Sequence, residues 1–146
     1  QPPVALTVGK AEELSTGGTV ALIGIGAMVE PARKAAELLA VQGISCHVVN
    51  ARFIKPLDKN LIRRLARDIG MIVTIEDNCL AGGFGSAVLE CVNEHNLNWV
   101  KILRLGWPDH FIEHGSRAQL MAKYQLTAEG IAESVQSFYR NYGAKQ

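Results

Sequence analysis

A short apolar run followed by an amphipathic helix recurs along this chain, and that alternation restricts the fold more than any other feature. "TVALIGI" (residues 19–25) is apolar on both sides, as a parallel strand covered on both faces must be. Val29, Ala32, Ala36, Leu39 and Ala40 then recur at helical spacing opposite Glu30, Arg33, Lys34 and Glu37, and Gly43 closes the helix. The unit repeats as a strand over residues 44–51 and a helix carrying Leu61, Ile62, Leu65 and Ile69, with Asp58 placed to cap it. Residues 71–75 make a third strand, the loop "EDNCLAGGFGS" leads to a helix near residues 84–95, and residues 100–105 make a fourth strand. Two helices follow, near 117–124 and 127–142; Thr127 caps the second, whose apolar face shows Ile131, Val135, Phe138 and Tyr142. The pattern predicts an α/β fold, an open, mostly parallel sheet with helices on both faces.

Residues 1–18, with Pro2, Pro3, Gly9, Gly17 and Gly18, read as a leading segment with short edge strands at 4–8 and 10–14, the source of an antiparallel edge. The chain opens "QPPV" without methionine. The expectation is that residues 1–18 enter from a preceding domain that is missing here, and that residues 19–146 form one domain, a length able to bury a sizeable core. Fifteen Lys and Arg are scattered among fourteen acids, for a net charge of +1, which argues against a nucleic-acid partner. Nothing resembles a signal peptide or a span of ~18–20 apolar residues, so a soluble, cytoplasmic chain without membrane contact is expected. Three cysteines without a C-x-x-C pair fit reduced thiols. Cys46 and Cys91 read as buried apolar residues, and Cys79 as the one accessible thiol, disfavoured as a thiolate by nearby acids.

Parallel sheets bind ligands beyond the carboxyl ends of their strands, so the residues there decide the function. "GIGAMV" places Gly24 and Gly26 as a dinucleotide fingerprint would, but Val29 stands where the third glycine belongs, and the second strand ends in Asn50, Ala51 and Arg52, not in an acid. A tight strand-to-helix turn explains the glycines better, with a free-standing NADP- or anion-binding module as the alternative. The glycines of "AGGFGS" suit an anion nest at a helix start, or a close approach to a neighbouring chain. His110, Glu113 and His114 match an H-x-x-E-H zinc string, yet Pro108 and Gly115 leave no room for the long helix it needs. Surface histidines in a loop, with Phe111 and Ile112 as core anchors, are expected. Arg52, directly off the second strand, offers a planar donor fork suited to phosphate or carboxylate; the competing expectation is a salt bridge to Glu76 or Asp109.

In this order and spacing, "VVNARFIKPLD", "TIEDNCLAGGFGSAVLE" and "LRLGWPDHFIEHGS" closely resemble the C-terminal domain of the 1-deoxy-D-xylulose-5-phosphate synthase family, thiamine-diphosphate enzymes of the transketolase superfamily. The likeness runs from about Gly9 to Ile131. It implies a transketolase C-terminal fold and a transferase that condenses pyruvate with D-glyceraldehyde 3-phosphate, feeding isoprenoid, thiamine and pyridoxal synthesis. It implies that thiamine diphosphate and Mg²⁺ are bound by preceding domains, that this fragment holds neither and is inactive alone, and that Arg52 grips the phosphate of glyceraldehyde 3-phosphate. It also implies a homodimer, for which "EDNCLAGGFG" is the candidate contact, and a bacterial cytoplasmic source ahead of a plastid one. The corresponding domain of transketolase or of a 2-oxoacid dehydrogenase beta chain is the alternative within the superfamily. Trp107 and the "EDN" loop depart modestly from the family pattern.

Overall fold

The computed structural model describes residues 5–143. Five strands lie in the order β1-β3-β2-β4-β5. They are β1 (Glu12–Ser15), β2 (Val20–Gly24), β3 (Cys46–Asn50), β4 (Met71–Cys79) and β5 (Lys101–Trp107). β2, β3, β4 and β5 pair in parallel, and β1 is antiparallel to β3 at the edge. Helices α1 (Val29–Val41), α2 (Lys59–Asp68), α3 (Phe84–Glu94), α4 (Arg117–Lys123) and α5 (Ala128–Tyr142) complete the chain. No helix among the described residues is long and apolar enough to cross a membrane.

The two-sided apolar run becomes the centre of the molecule. Val20 and Leu22 of β2 face the cluster that buries Leu39 of α1 with Ile131, Val135 and Phe138 of α5. Their neighbours Ala21 and Ile23 face the other cluster, with Leu61, Ile62 and Leu65 of α2 and Phe84, Val88 and Cys91 of α3. The period-two alternation of a strand sends successive side chains into two cores, each fully buried aliphatic side chain stabilising the fold by about 1.5–3 kcal/mol.

Expected caps form at Asp58, which accepts from Leu61 N–H at 3.1 Å, and at Thr127, which accepts from Gly130 N–H at 3.1 Å. The edge strand is present but sits at 12–15 instead of 10–14, and residues 5–8 form no strand; Val4 lies outside the described residues. β1 is too irregular for a plain ladder. Its register slips between Glu13 and Ser15, and the Ser15 hydroxyl fills the gap by accepting from Val48 N–H at 3.1 Å.

Two further expectations are corrected. β4 runs four residues past Ile75, because Cys79 pairs with Trp107 after an irregularity and Leu80 N–H donates to Trp107 C=O. Glu76 through Cys79 therefore belong to a strand, not a loop. Phe111 is 85% exposed and Ile112 only half-buried, so neither anchors the core; residues 108–115 form a loop over the strand ends with no helix or strand to turn them inward.

Candidate functional site

β2 and β3 end on one line, with Gly24 opposite Asn50, while β4 passes Gly24 at Ile75 and runs on to Cys79. The chain reverses direction across the sheet here: β2 is followed by its neighbour β3, and β3 by β4 on the far side of β2. Such a switch point leaves a crevice between strand ends. A depression of about 280 Å³ occupies it, lined by Ile25, Gly26, Ala27, Ile54, Glu76, Asp77 and Asn78.

Gly24 is required by packing: a Cβ there would meet Met28 C=O and Val29 Cα at 2.9 Å. That close approach accounts for the first glycine of "GIGAMV" without a nucleotide.

Arg52 leaves the end of β3 on the β1 side of this crevice. Its backbone is left-handed, φ +59°, a conformation uncommon for a residue with a side chain. The Asn50 side chain holds it there, Oδ1 accepting from Arg52 N–H at 3.1 Å, as asparagines do in local turns. The side chain is about one-quarter exposed, and its Nη2 lies 2.8 Å from Glu12 Oε2. The salt bridge that competed with a ligand-binding role is therefore present, but with Glu12 in place of Glu76 or Asp109. Glu12 was out of reach of that reading because it comes from the leading segment, brought to Arg52 by the antiparallel pairing of β1 with β3.

The glycine loop also resolves differently. Glu76 is fully buried, and its two carboxyl oxygens accept from Phe84 N–H at 2.7 Å and Gly85 N–H at 2.9 Å. The nest at the start of α3 is thus filled by the protein's own acid, which caps a helix whose N-cap, Gly83, has no side chain. Arg104, between Leu103 and Leu105 of β5, reaches the same loop through Leu80 C=O and Ser86 Oγ, both at 3.2 Å. Asp77, next along β4, accepts from the Trp107 indole N–H at 2.7 Å and from the Arg117 guanidinium. The guanidinium, then the indole, holds its carboxyl below the ordinary aspartate range.

His110 and His114 are exposed in the loop, and Glu113 is engaged by Lys123 and Tyr124. Among the described residues no three His, Cys, Asp or Glu side chains are grouped to hold a metal. With the α3 amides committed to Glu76, the described residues do not fit Mg²⁺ or a diphosphate. Cys46 is half-buried and its thiol is pushed up to about 11 by burial; burial likewise raises Cys91. Cys79 Sγ lies 3.6 Å from Asp109 Oδ1.

A parallel sheet with one antiparallel edge, helices on both faces and an arginine off the strand beside the switch point define the class. The chain belongs to the transketolase C-terminal domain family, whose model matches residues 9–131. More particularly, its relatives include 1-deoxy-D-xylulose-5-phosphate synthase 1 of Geobacter metallireducens, 50% identical over 92% of this chain and 22% of the relative. The synthase of Symbiobacterium thermophilum is 46% identical over 90% of this chain and 20% of its own length. This chain thus spans about a fifth of the relatives it matches. A solved split-gene transketolase, described as an inactive beta4 tetramer, superposes with a TM-score of 0.85 at 33% identity, covering 94% of this chain and 44% of that one. A Pichia stipitis transketolase mutant shares the fold, with a TM-score of 0.64 at 20% identity over 90% of this chain and 18% of its own.

Proposed function

We propose that this chain is the C-terminal domain of a 1-deoxy-D-xylulose-5-phosphate synthase, and that in the full-length enzyme Arg52 holds the phosphate of D-glyceraldehyde 3-phosphate while pyruvate supplies the other two carbons. The 50% identity to the Geobacter metallireducens synthase carries the first part. The position of Arg52, at the ligand edge with a side chain ordered by Glu12 and only one-quarter exposed, supports the second. Its role is to orient the acceptor and offset its charge, without proton transfer. Thiamine diphosphate and Mg²⁺ belong to preceding domains, from which residues 1–18 enter residues 19–146. Residues 76–85 are the proposed contact with a second copy of the enzyme, and the fragment alone is inactive.

Full-length enzyme carrying Arg52→Ala tests the phosphate role. The apparent KM for glyceraldehyde 3-phosphate rises about 30-fold or more, the loss expected when a charged hydrogen-bond partner is removed, while that for pyruvate is little changed. Equal effects on both substrates refute the role. The 33% identity to a split-gene transketolase supports a second reading, a transketolase domain. It requires a ketose phosphate donor in place of pyruvate, so donor preference separates the two.

A further inference from the structure

We infer that Glu12 is a positioning residue for Arg52, fixing from edge strand β1 the guanidinium that receives the acceptor phosphate. This rests on the phosphate role proposed above. Glu12 and Asn50 face each other across the β1–β3 pair, and each holds a different part of Arg52. Asn50 fixes the left-handed backbone through Arg52 N–H, and Glu12 fixes the far end of the side chain through Nη2. A free arginine side chain loses much rotamer freedom on binding an anion, and one already ordered loses less. The pairing uses a single terminal nitrogen; among the described residues no other side-chain partner engages the guanidinium. Nη2 is shared by the two donor faces of the guanidinium, one with Nε and one with Nη1; Glu12 takes up one of them, and the other is left for a two-pronged contact with a phosphate.

Glu12 is not what holds β1 in place. Glu13, on the opposite face of the strand, lies 2.8 Å from His47 Nε2 and 2.8 Å from Arg64 Nη2. Ser15 bonds Val48 N–H and Cys46 C=O, and Ala11 N–H donates to Asp58 Oδ2 at 3.2 Å. The strand has its own anchors on either side of Glu12, which leaves the Glu12 carboxylate to Arg52. A nearby carboxylate also repels a phosphate, so the two effects predict opposite changes in acceptor KM when Glu12 is neutralised. Ordering dominates here because Glu12 Oε2 lies 2.8 Å from the guanidinium, whereas a phosphate on the other donor face is farther from that carboxylate, so at this partly exposed site the repulsion is the more screened of the two.

The test is steady-state kinetics of the full-length enzyme carrying Glu12→Gln, Glu12→Ala, Glu13→Gln, Arg52→Ala, and Glu12→Gln combined with Arg52→Ala. Both Glu12 variants raise the acceptor KM about three- to fivefold, the scale of a partly exposed ion pair, and leave kcat and the pyruvate KM near wild type. Adding Glu12→Gln to Arg52→Ala changes nothing further, and Glu13→Gln lowers Tm without moving the acceptor KM. An unchanged or lowered acceptor KM in the Glu12 variants overturns the inference, as does an equal penalty in the Arg52→Ala background, which marks a loosened strand. If Arg52→Ala raises the acceptor KM and the Glu12 variants do not, positioning alone fails. If Arg52→Ala leaves it unchanged, the phosphate role fails and the inference with it.

Discussion

Gly83 leaves the space that Glu76 occupies: a Cβ built on Gly83 would meet the Glu76 carboxyl group directly and Cys79 C=O at 2.5 Å. The missing side chain and the buried acid are therefore one device, in which a strand residue reaches across the turn to cap α3. Glu76→Ala strands two buried N–H donors and leaves a void, and costs about 2–4 kcal/mol. Gly83→Ala overpacks the same contact and costs about 2 kcal/mol. Urea unfolding checks both, and their combination is less than additive because they disturb one contact.

Asp58 joins two pieces of chain. One carboxyl oxygen caps α2 at Leu61 N–H, and the other accepts from Ala11 N–H in the segment leading into β1. Asp58→Ser keeps a capping hydroxyl and loses the Ala11 contact; Asp58→Ala loses both. The expected ranking of stability is wild type, then Ser, then Ala, with the alanine variant down by about 2 kcal/mol. Amide exchange at Ala11 rises in both variants, whereas exchange at Leu61 rises strongly only in Asp58→Ala.

The sheet, its order of elements and its caps were legible because two-sided apolar runs and helical spacing are local patterns. β2 and α1 follow directly from "TVALIGI" and from Val29, Ala32 and Leu39. What escaped was set by contacts distant in sequence. Glu76 reads as a loop acid until the pairing of Cys79 with Trp107 extends β4, and the Glu12 partner of Arg52 is 40 positions away, visible only through the β1–β3 register. Phe111 misled because an aromatic residue in a polar loop has the composition of an anchor, while its burial depends on elements that no local pattern specifies. The place of Arg52, just past the end of β3, was legible because the strand preceding it was.

The three thiols differ in reactivity. Burial disfavours the thiolate at Cys46, pushed up to about 11, and at Cys91, on the core face of α3. A thiol reagent at pH 8 labels Cys79 ahead of Cys46, whose thiolate burial disfavours, and Cys91 follows only at the rate of local opening. Mass spectrometry of partially labelled protein reads the order. Earlier labelling of Cys46 or Cys91 would contradict the packing described here.

Asp77 gives the strand ends a measurable acid transition. Arg117, and after it the Trp107 indole, holds the Asp77 carboxyl below the usual range, so the folded pKa is lower than the unfolded one. A depressed carboxyl contributes stability that is fully present above the unfolded value of about 3.9 and is lost as pH falls through the folded value. The stability difference between wild type and Asp77→Asn should accordingly be constant near neutrality, begin to narrow near the unfolded value of about 3.9, and close only as pH falls through the lower folded value. Trp107 reports the same event locally. In a Trp99→Phe background, Trp107 fluorescence shifts with a midpoint below about 3.9, and Asp77→Asn abolishes the shift. A midpoint at or above the ordinary aspartate value would show that the Arg117 and Trp107 contacts do not favour the charged form.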